Sequence, residues 1–299
     1  MKYRELGKSG LSISEIGLGT MSIHPENESM GIEIIHRAIE LGINIIDTAD
    51  LYDKGLNESI VGKALKGRRD NIILATKVGN QWKEDGSGSI WNPGKQQILD
   101  SAEKSLQRLQ TDHIDLYQLH GGTIEDPIDE IIEAFELLKA QGKIRHYGIS
   151  SIRPNVIREY VKRSNIVSVM TQYSLADRRP EEETLHFLHA NNIGVLVRGA
   201  LAQGLLLSKP AKEYLGHSRE EMDSARITVN FLSRKKGTAA QTAISFVLNH
   251  PAVTSAIVGV SRTQQLEEIV QDLNADPLTD DEMIELKKVL APKTYESHR

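Results

Sequence analysis

The chain has 299 residues, a formal net charge of −5 and no cysteine. The lack of cysteine excludes disulfides, zinc–thiolate sites and thiol nucleophiles together, and an acidic balance with no basic block argues against a nucleic-acid partner, because phosphate binding needs clustered Lys and Arg. No apolar stretch approaches the ~18 residues that span a bilayer, and the start, MKYRELGKSG, has no apolar core of a secretory signal, so a cytoplasmic protein is expected.

Tyr3 to Ile13, broken by GKSG, predicts a hairpin. The first apolar run, Ile16–Gly19, ends at Thr20 and Met21. The second, Asn44–Thr48, lies in NIIDTADLY, where Asp47, Asp50 and Tyr52 crowd one end. The third, Ile72–Thr76, ends at Lys77 and runs into GNQWKEDGSGSIWNPG, whose Trp82 and Trp91 are either loop anchors or pocket walls. Ile98, Ala102, Leu106 and Leu109 then fall on one helical face. Ile114–Leu119 ends at His120. In DPIDEIIEAFELLKAQGK the positions Ile128, Ile131, Ile132, Phe135 and Leu138 predict a helix with Asp126 as N-cap, Pro127 in the first turn and Gly142 as the stop.

Ile144–Ile149 leads to Ser150 and Ser151, and Ser168–Thr171 to Gln172. His186 and His189 share a helical face, but no third ligand is apparent, so no metal is expected. Gly194–Val197 ends at Arg198 and enters a long irregular stretch, LAQGLLLSKPAKEYLGHSREEMDSA, of the kind that forms lids or binding segments. The last run, Thr254–Val258, is followed by Ser261 and Arg262, and LTDDEMIELKKVL predicts an extra helix capped by Thr279. Eight apolar runs alternating with amphipathic segments predict parallel strands covered on both faces. With no break in composition, the expected fold is one (β/α)8 barrel over residues 1–299. A doubly wound sheet would place a glycine fingerprint after its first strand, and GLGTM is not one.

Barrel chemistry gathers at the C-terminal ends of the strands. Asp47, Lys77, His120 and Tyr52 could therefore meet at one mouth. A phenol titrating near ~10 is a poor acid at neutral pH. A lysine ammonium about 4 Å away favours the phenolate by roughly 4 kcal/mol at an effective dielectric near 20, before desolvation is subtracted. Lys77 can supply that charge, Asp47 can hold Lys77, and His120 can orient a carbonyl. Tyr52 would then protonate an oxygen on which charge develops.

The chain resembles the aldo-keto reductases along its whole length, through GLGTM, NIIDTADLY with NESIVGKAL, LATKVG, IDLYQLHG, YGISS, TQYS and AIVGVSRTQQLEE. The resemblance implies a catalytic tetrad of Asp47, Tyr52, Lys77 and His120, and NADP(H) laid across the barrel mouth. It assigns cofactor contacts to Thr20, Met21, Asp47, Ser150, Gln172, Arg198, Gly199, Leu201, Gly204, Gly259, Ser261, Arg262, Gln265 and Glu268. Of these, Ser150 and Gln172 match the positions that hold the carboxamide, and the loop carrying Gly204 would lie over the pyrophosphate. Arg262 suits the 2′-phosphate because a planar guanidinium matches phosphate geometry. Four departures stand out: Ser151 replaces a usual Asn, Arg198 a stacking aromatic, Gly121 a common Trp, and Ile269 an Asn near the adenine.

The expected activity is NADPH-dependent reduction of small aldehydes or ketones to alcohols. Two other readings fit parts of the pattern. Lys77 could form a Schiff base in a lyase, which would leave the segment after the eighth strand unused. A regulatory module could bind NADP(H) with little turnover. The sequence is compatible with a monomer and names no particular substrate.

Overall fold

The computed structural model describes residues 1–270 and 277–299, and omits the side chains at 235 and 236. A hairpin, β1 (Tyr3–Glu5) against β2 (Ser12–Ser14), precedes the first barrel strand. The later strands are β3 (Ile16–Gly19), β4 (Ile45–Asp47), β5 (Ile73–Val78), β6 (Asn80–Trp82), β7 (Ser89–Trp91), β8 (Ile114–Leu119), β9 (Ile144–Ser150), β10 (Ser168–Gln172), β11 (Gly194–Arg198) and β12 (Val253–Gly259). Eight of them, β3-β4-β5-β8-β9-β10-β11-β12, close into a barrel of parallel neighbours. The helices are α1 (Glu28–Glu40), α2 (Leu56–Leu65), α3 (Lys95–Leu109), α4 (Ile128–Ala140), α5 (Pro154–Arg163), α6 (Thr184–Ala190), α7 (Arg219–Lys236), α8 (Ala239–Leu248), α9 (Thr263–Val270) and α10 (Asp280–Val289). None of the described helices is long and apolar enough to cross a membrane.

Two cores follow from the pleat. Outward residues such as Leu74, Tyr117 and Ile149 pack under the helices. Inward residues Ile45, Ala75, Leu116, Met170, Leu196 and Ile257 fill the barrel, and Leu6 and Ile13 of the hairpin join them. The hairpin is thus a plug, which explains why a chain of this fold begins with two strands outside the barrel. The extra helix α10 starts where expected, with a capping box between Thr279 and Glu282.

Three local expectations change. Asp126 does not cap α4: Pro127 stands at the N-cap, and the Asp126 carboxylate accepts the Trp91 indole N–H at 2.9 Å and the Thr123 N–H at 2.7 Å. A polar side chain just before a helix looks like a cap in one dimension, but a distant indole competes for it. The stretch after β5 is not irregular, since β6 and β7 pair across it. The stretch after β11 is shorter than expected, because Ser218 and Glu221 form a capping box that starts α7.

Candidate active site

Successive strand residues face opposite sides, so the residue two past an inward apolar side chain also points inward. Ile45 leads to Asp47, Ala75 to Lys77, Leu116 to Gln118, Met170 to Gln172 and Leu196 to Arg198. This parity carries polar groups to the open end of an apolar interior. Lys77 Nζ donates to Asp47 Oδ2 at 2.6 Å and to the Thr48 carbonyl at 2.7 Å, and lies 3.5 Å from the Tyr52 hydroxyl. Gln118 Nε2 donates to the other Asp47 oxygen at 3.3 Å. The Tyr52 and His120 rings meet edge to face at 6.0 Å. The expected tetrad is therefore one cluster, and Gln118 is a member that sequence reasoning missed. Strand parity from Leu116 to His120 was the signal that could have found it.

Burial sets the electrostatics. It would lower the pKa of Lys77, but Asp47 and Tyr52 outweigh it and hold the ammonium above its ordinary value. Burial raises the Asp47 carboxyl, with Lys77 opposing. Burial also raises Tyr52, and the opposing field of Lys77 does not overcome it. Once desolvation is subtracted, the stabilisation that the neighbouring ammonium gives the phenolate is outweighed, even with that charge at 3.5 Å. Tyr52 is a neutral phenol with its proton in place.

His120 is pushed down to about 3 by burial and then by Lys77 and Arg198, so its imidazole is neutral. Its Nδ1 is sealed without a hydrogen-bond partner. A buried N–H without an acceptor is costlier than a buried lone pair, so the proton belongs on Nε2, which can donate to a carbonyl oxygen.

Arg198 is exposed at the end of β11 and donates to Gln172 Oε1 at 2.7 Å. It does not pair with the rim carboxylate Asp177, which Arg179 grips at 2.7 Å. It stands two residues past the inward Leu196, at the same end of the barrel as Lys77, and its charge opposes the rise at Tyr52 and adds to the fall at His120. Gly121, expected to widen the pocket, carries the ring of Trp91: a Cβ there would lie 3.5 Å from that ring, and one on Gly79 would lie 2.6 Å from it. A tryptophan from β7 therefore lies over this glycine and takes up space beside it. Trp82 donates its indole N–H to the Leu51 carbonyl at 3.3 Å, next to Tyr52.

The remaining predicted contacts divide. Met21 is 65% exposed at the mouth. Ser150 is buried at the end of β9, and Ser151 turns its hydroxyl to accept the Arg153 N–H at 3.1 Å. Thr20 is fully buried, with its hydroxyl 2.6 Å from Asn57 Oδ1, so its side chain serves the interior. Gly199 and Leu201 begin the loop after β11, and Gly204 continues it at φ 86° beside left-handed Ala202 and Gln203. Gly259 ends β12, and Ser261 donates to Gln265 Oε1 at 2.9 Å. Arg262 and Glu268 are exposed, and Arg262 makes no ion pair among the described residues, while Glu267 is held by Arg37 at 2.8 Å. Ile269 is buried in the core. His186 packs edge-on to His250 at 5.2 Å.

The sequence profile of the Aldo/keto reductase family matches residues 15–291. An uncharacterized oxidoreductase of Bacillus subtilis, YqkF, is 51% identical over the full length of both chains. Among solved structures, the holo form of aldo-keto reductase AKR11C1 from Bacillus halodurans superposes with a TM-score of 0.95 at 49% identity, covering 100% of this chain and 99% of that one. An aldo/keto reductase from Klebsiella pneumoniae, in complex with NADP and acetate, gives 0.81 at 28% identity over 99% of this chain and 98% of that one.

Proposed function

The chain belongs to the aldo/keto reductase family, and from that premise we propose that it is a cytoplasmic enzyme reducing aldehydes or ketones to alcohols with NADPH. The observation that carries the reading is the buried Lys77, held by Asp47 and set 3.5 Å from the Tyr52 hydroxyl.

The mouth fits a nicotinamide dinucleotide. Arg262, exposed and without an ion pair among the described residues, would meet the 2′-phosphate. The left-handed turn ending in Gly204 lets backbone approach a pyrophosphate closely. Gln172 and Ser150 would hold the carboxamide. When bound, NADPH supplies the hydride.

The chain's own residues do the rest. His120 Nε2 and the Tyr52 hydroxyl bind and orient the substrate oxygen. As that oxygen gains charge, the Tyr52 O–H bond breaks and its proton forms the alcohol. Lys77 stabilises the phenolate left behind, and Asp47, braced by Gln118, keeps Lys77 charged and in place.

A Schiff-base lyase is less well supported. That chemistry needs a neutral, reachable amine, whereas Lys77 is 1% exposed and held as an ammonium. The test is NADPH oxidation across a panel of aldehydes, ketones and sugars, with Tyr52→Phe as control. Losing a general acid costs about 10²–10⁴-fold, so Tyr52→Phe should lose at least that while still binding NADPH. Turnover within about threefold of wild type would reject the proton-donor assignment.

A further inference from the structure

Strand parity has a second consequence. Asp47 and Lys77 point into the barrel, so their chain neighbours Thr48 and Thr76 point out. Both outward hydroxyls are gripped by the first turn of α2. Thr48 Oγ1 donates to Asn57 Oδ1 at 2.7 Å, and Thr76 Oγ1 donates to Glu58 Oε1 at 2.6 Å. Asn57 and Glu58 are both fully buried.

Each is braced from behind. Asn57 Nδ2 donates to the carbonyls of Thr20 at 2.8 Å and Ile23 at 2.7 Å. Glu58 is held by Arg108 of α3 at 2.6 Å. Apolar residues in that turn would avoid the cost of burying an amide and a carboxylate, so stability alone does not account for the pair. The turn is also tied to Tyr52. Only Asp53, Lys54 and Gly55 separate them, all left-handed at φ 47°, 56° and 85°. Two consecutive non-glycine residues in that region are uncommon and need surrounding structure to hold them.

We propose that the first turn of α2 is a two-point clamp, in which Asn57 through Thr48 and Glu58 through Thr76 position Lys77 against Tyr52. The clamp rests on the proton-donor reading of Tyr52. Its first point sets the Thr48 carbonyl, which accepts from Lys77 Nζ at 2.7 Å. Its second point sets the strand from which Lys77 springs. The three-residue left-handed link places Tyr52 relative to both. Asn57, Glu58, Thr48 and Thr76 touch no substrate and are positioning residues.

The experiment compares Thr48→Val and Thr76→Val, which delete the hydroxyls at nearly constant shape, with Thr48→Ser and Thr76→Ser, which keep them. Each is assayed well below its melting temperature with NADPH and the best carbonyl of the panel, and each is crystallised. A displacement on the order of 1 Å at a reacting group can cost about 10²-fold. The Val variants should lose about 10- to 100-fold in kcat, with KM and the NADPH dissociation constant within about twofold, and Lys77 Nζ should stand farther from Tyr52. The Ser variants should recover both the rate and the distance. Val variants with wild-type kcat and an unmoved Lys77, or Ser variants as slow as the Val ones, would overturn the clamp. If the wild type reduces no carbonyl, the reductase reading falls, and if Tyr52→Phe reduces one within about threefold of the wild-type rate, the proton-donor reading falls; the Lys77–Tyr52 distances in the variant crystals still judge the clamp.

Discussion

Arg198 is where a single charge has the clearest mechanistic consequence. Oxidised nicotinamide is cationic and the reduced ring is not, so a guanidinium facing the mouth disfavours the oxidised form. At ~6 Å and an effective dielectric near 20 the Coulomb term is roughly 3 kcal/mol. Exposure and salt reduce it to about 1 kcal/mol, or roughly fivefold in affinity. Titrating both redox states should therefore show tighter binding of NADPH than of NADP+, and Arg198→Leu should narrow the gap. An unchanged ratio would mean that Arg198 does not sense the ring. At the other end of the cofactor, Arg262→Ala should cost NADPH about 1.5–3 kcal/mol relative to NADH, as expected for a charge-assisted contact. Equal losses for the two cofactors in fluorescence titrations would remove Arg262 from the 2′-phosphate.

Elements, more than single residues, decide how rigid this mouth is. The β1–β2 hairpin closes the far end of the barrel with Leu6 and Ile13, both fully buried. Truncating a buried Ile to Ala typically costs 2–5 kcal/mol. Ile13→Ala should lower the urea midpoint accordingly while kcat at 25 °C stays close to wild type, because the plug is at the opposite end from Lys77. A parallel loss of kcat would show that the plug and the mouth are coupled. The β6–β7 hairpin acts at the active end. Its two tryptophans reach the Tyr52 loop through Leu51 and the His120 loop through Gly121, so one small element braces two strand ends that the barrel itself does not connect directly.

For the whole molecule, two partly buried groups pull stability in opposite directions with pH. Burial, reinforced by Glu58, pushes Asp50 up to about 8. The folded state therefore holds a proton that the unfolded chain releases near 4. The stability this contributes is complete below that lower value and is lost as pH rises toward 8. His120, pushed down to about 3, refuses a proton that the unfolded chain accepts below about 6.5. Its contribution is complete above that value and is lost as pH falls toward 3. Each group changes stability by at most about 1.4 kcal/mol per pH unit within its window. Asp50→Asn should accordingly raise the urea midpoint at pH 8 and change it little at pH 4. Equal effects at the two pH values would show that Asp50 is ionised in the folded protein.

The eight strands were legible in the chain alone, because near-continuous apolar runs bounded by turns mark each one, and so were the residues that end them. Parity along a strand is local, so Asp47, Lys77 and His120 could be assigned to one mouth from spacing, and the family resemblance supplied their roles. Tertiary structure decided what depends on distant partners. Trp91 lies on Gly121 only because a hairpin folds back across the barrel end, and nothing in either segment announces it. Asp126 turned from a cap into an anchor for the same reason. The balance at the Tyr52 phenol is also tertiary: the field of Lys77 can be reasoned from two strand ends, whereas desolvation, which outweighs it, sums over every group that excludes water. Asn57 and Glu58 were legible only as part of a family motif. Barrel closure brought the outward hydroxyls of Thr48 and Thr76 against one helical turn, and that juxtaposition has no signature in a single segment.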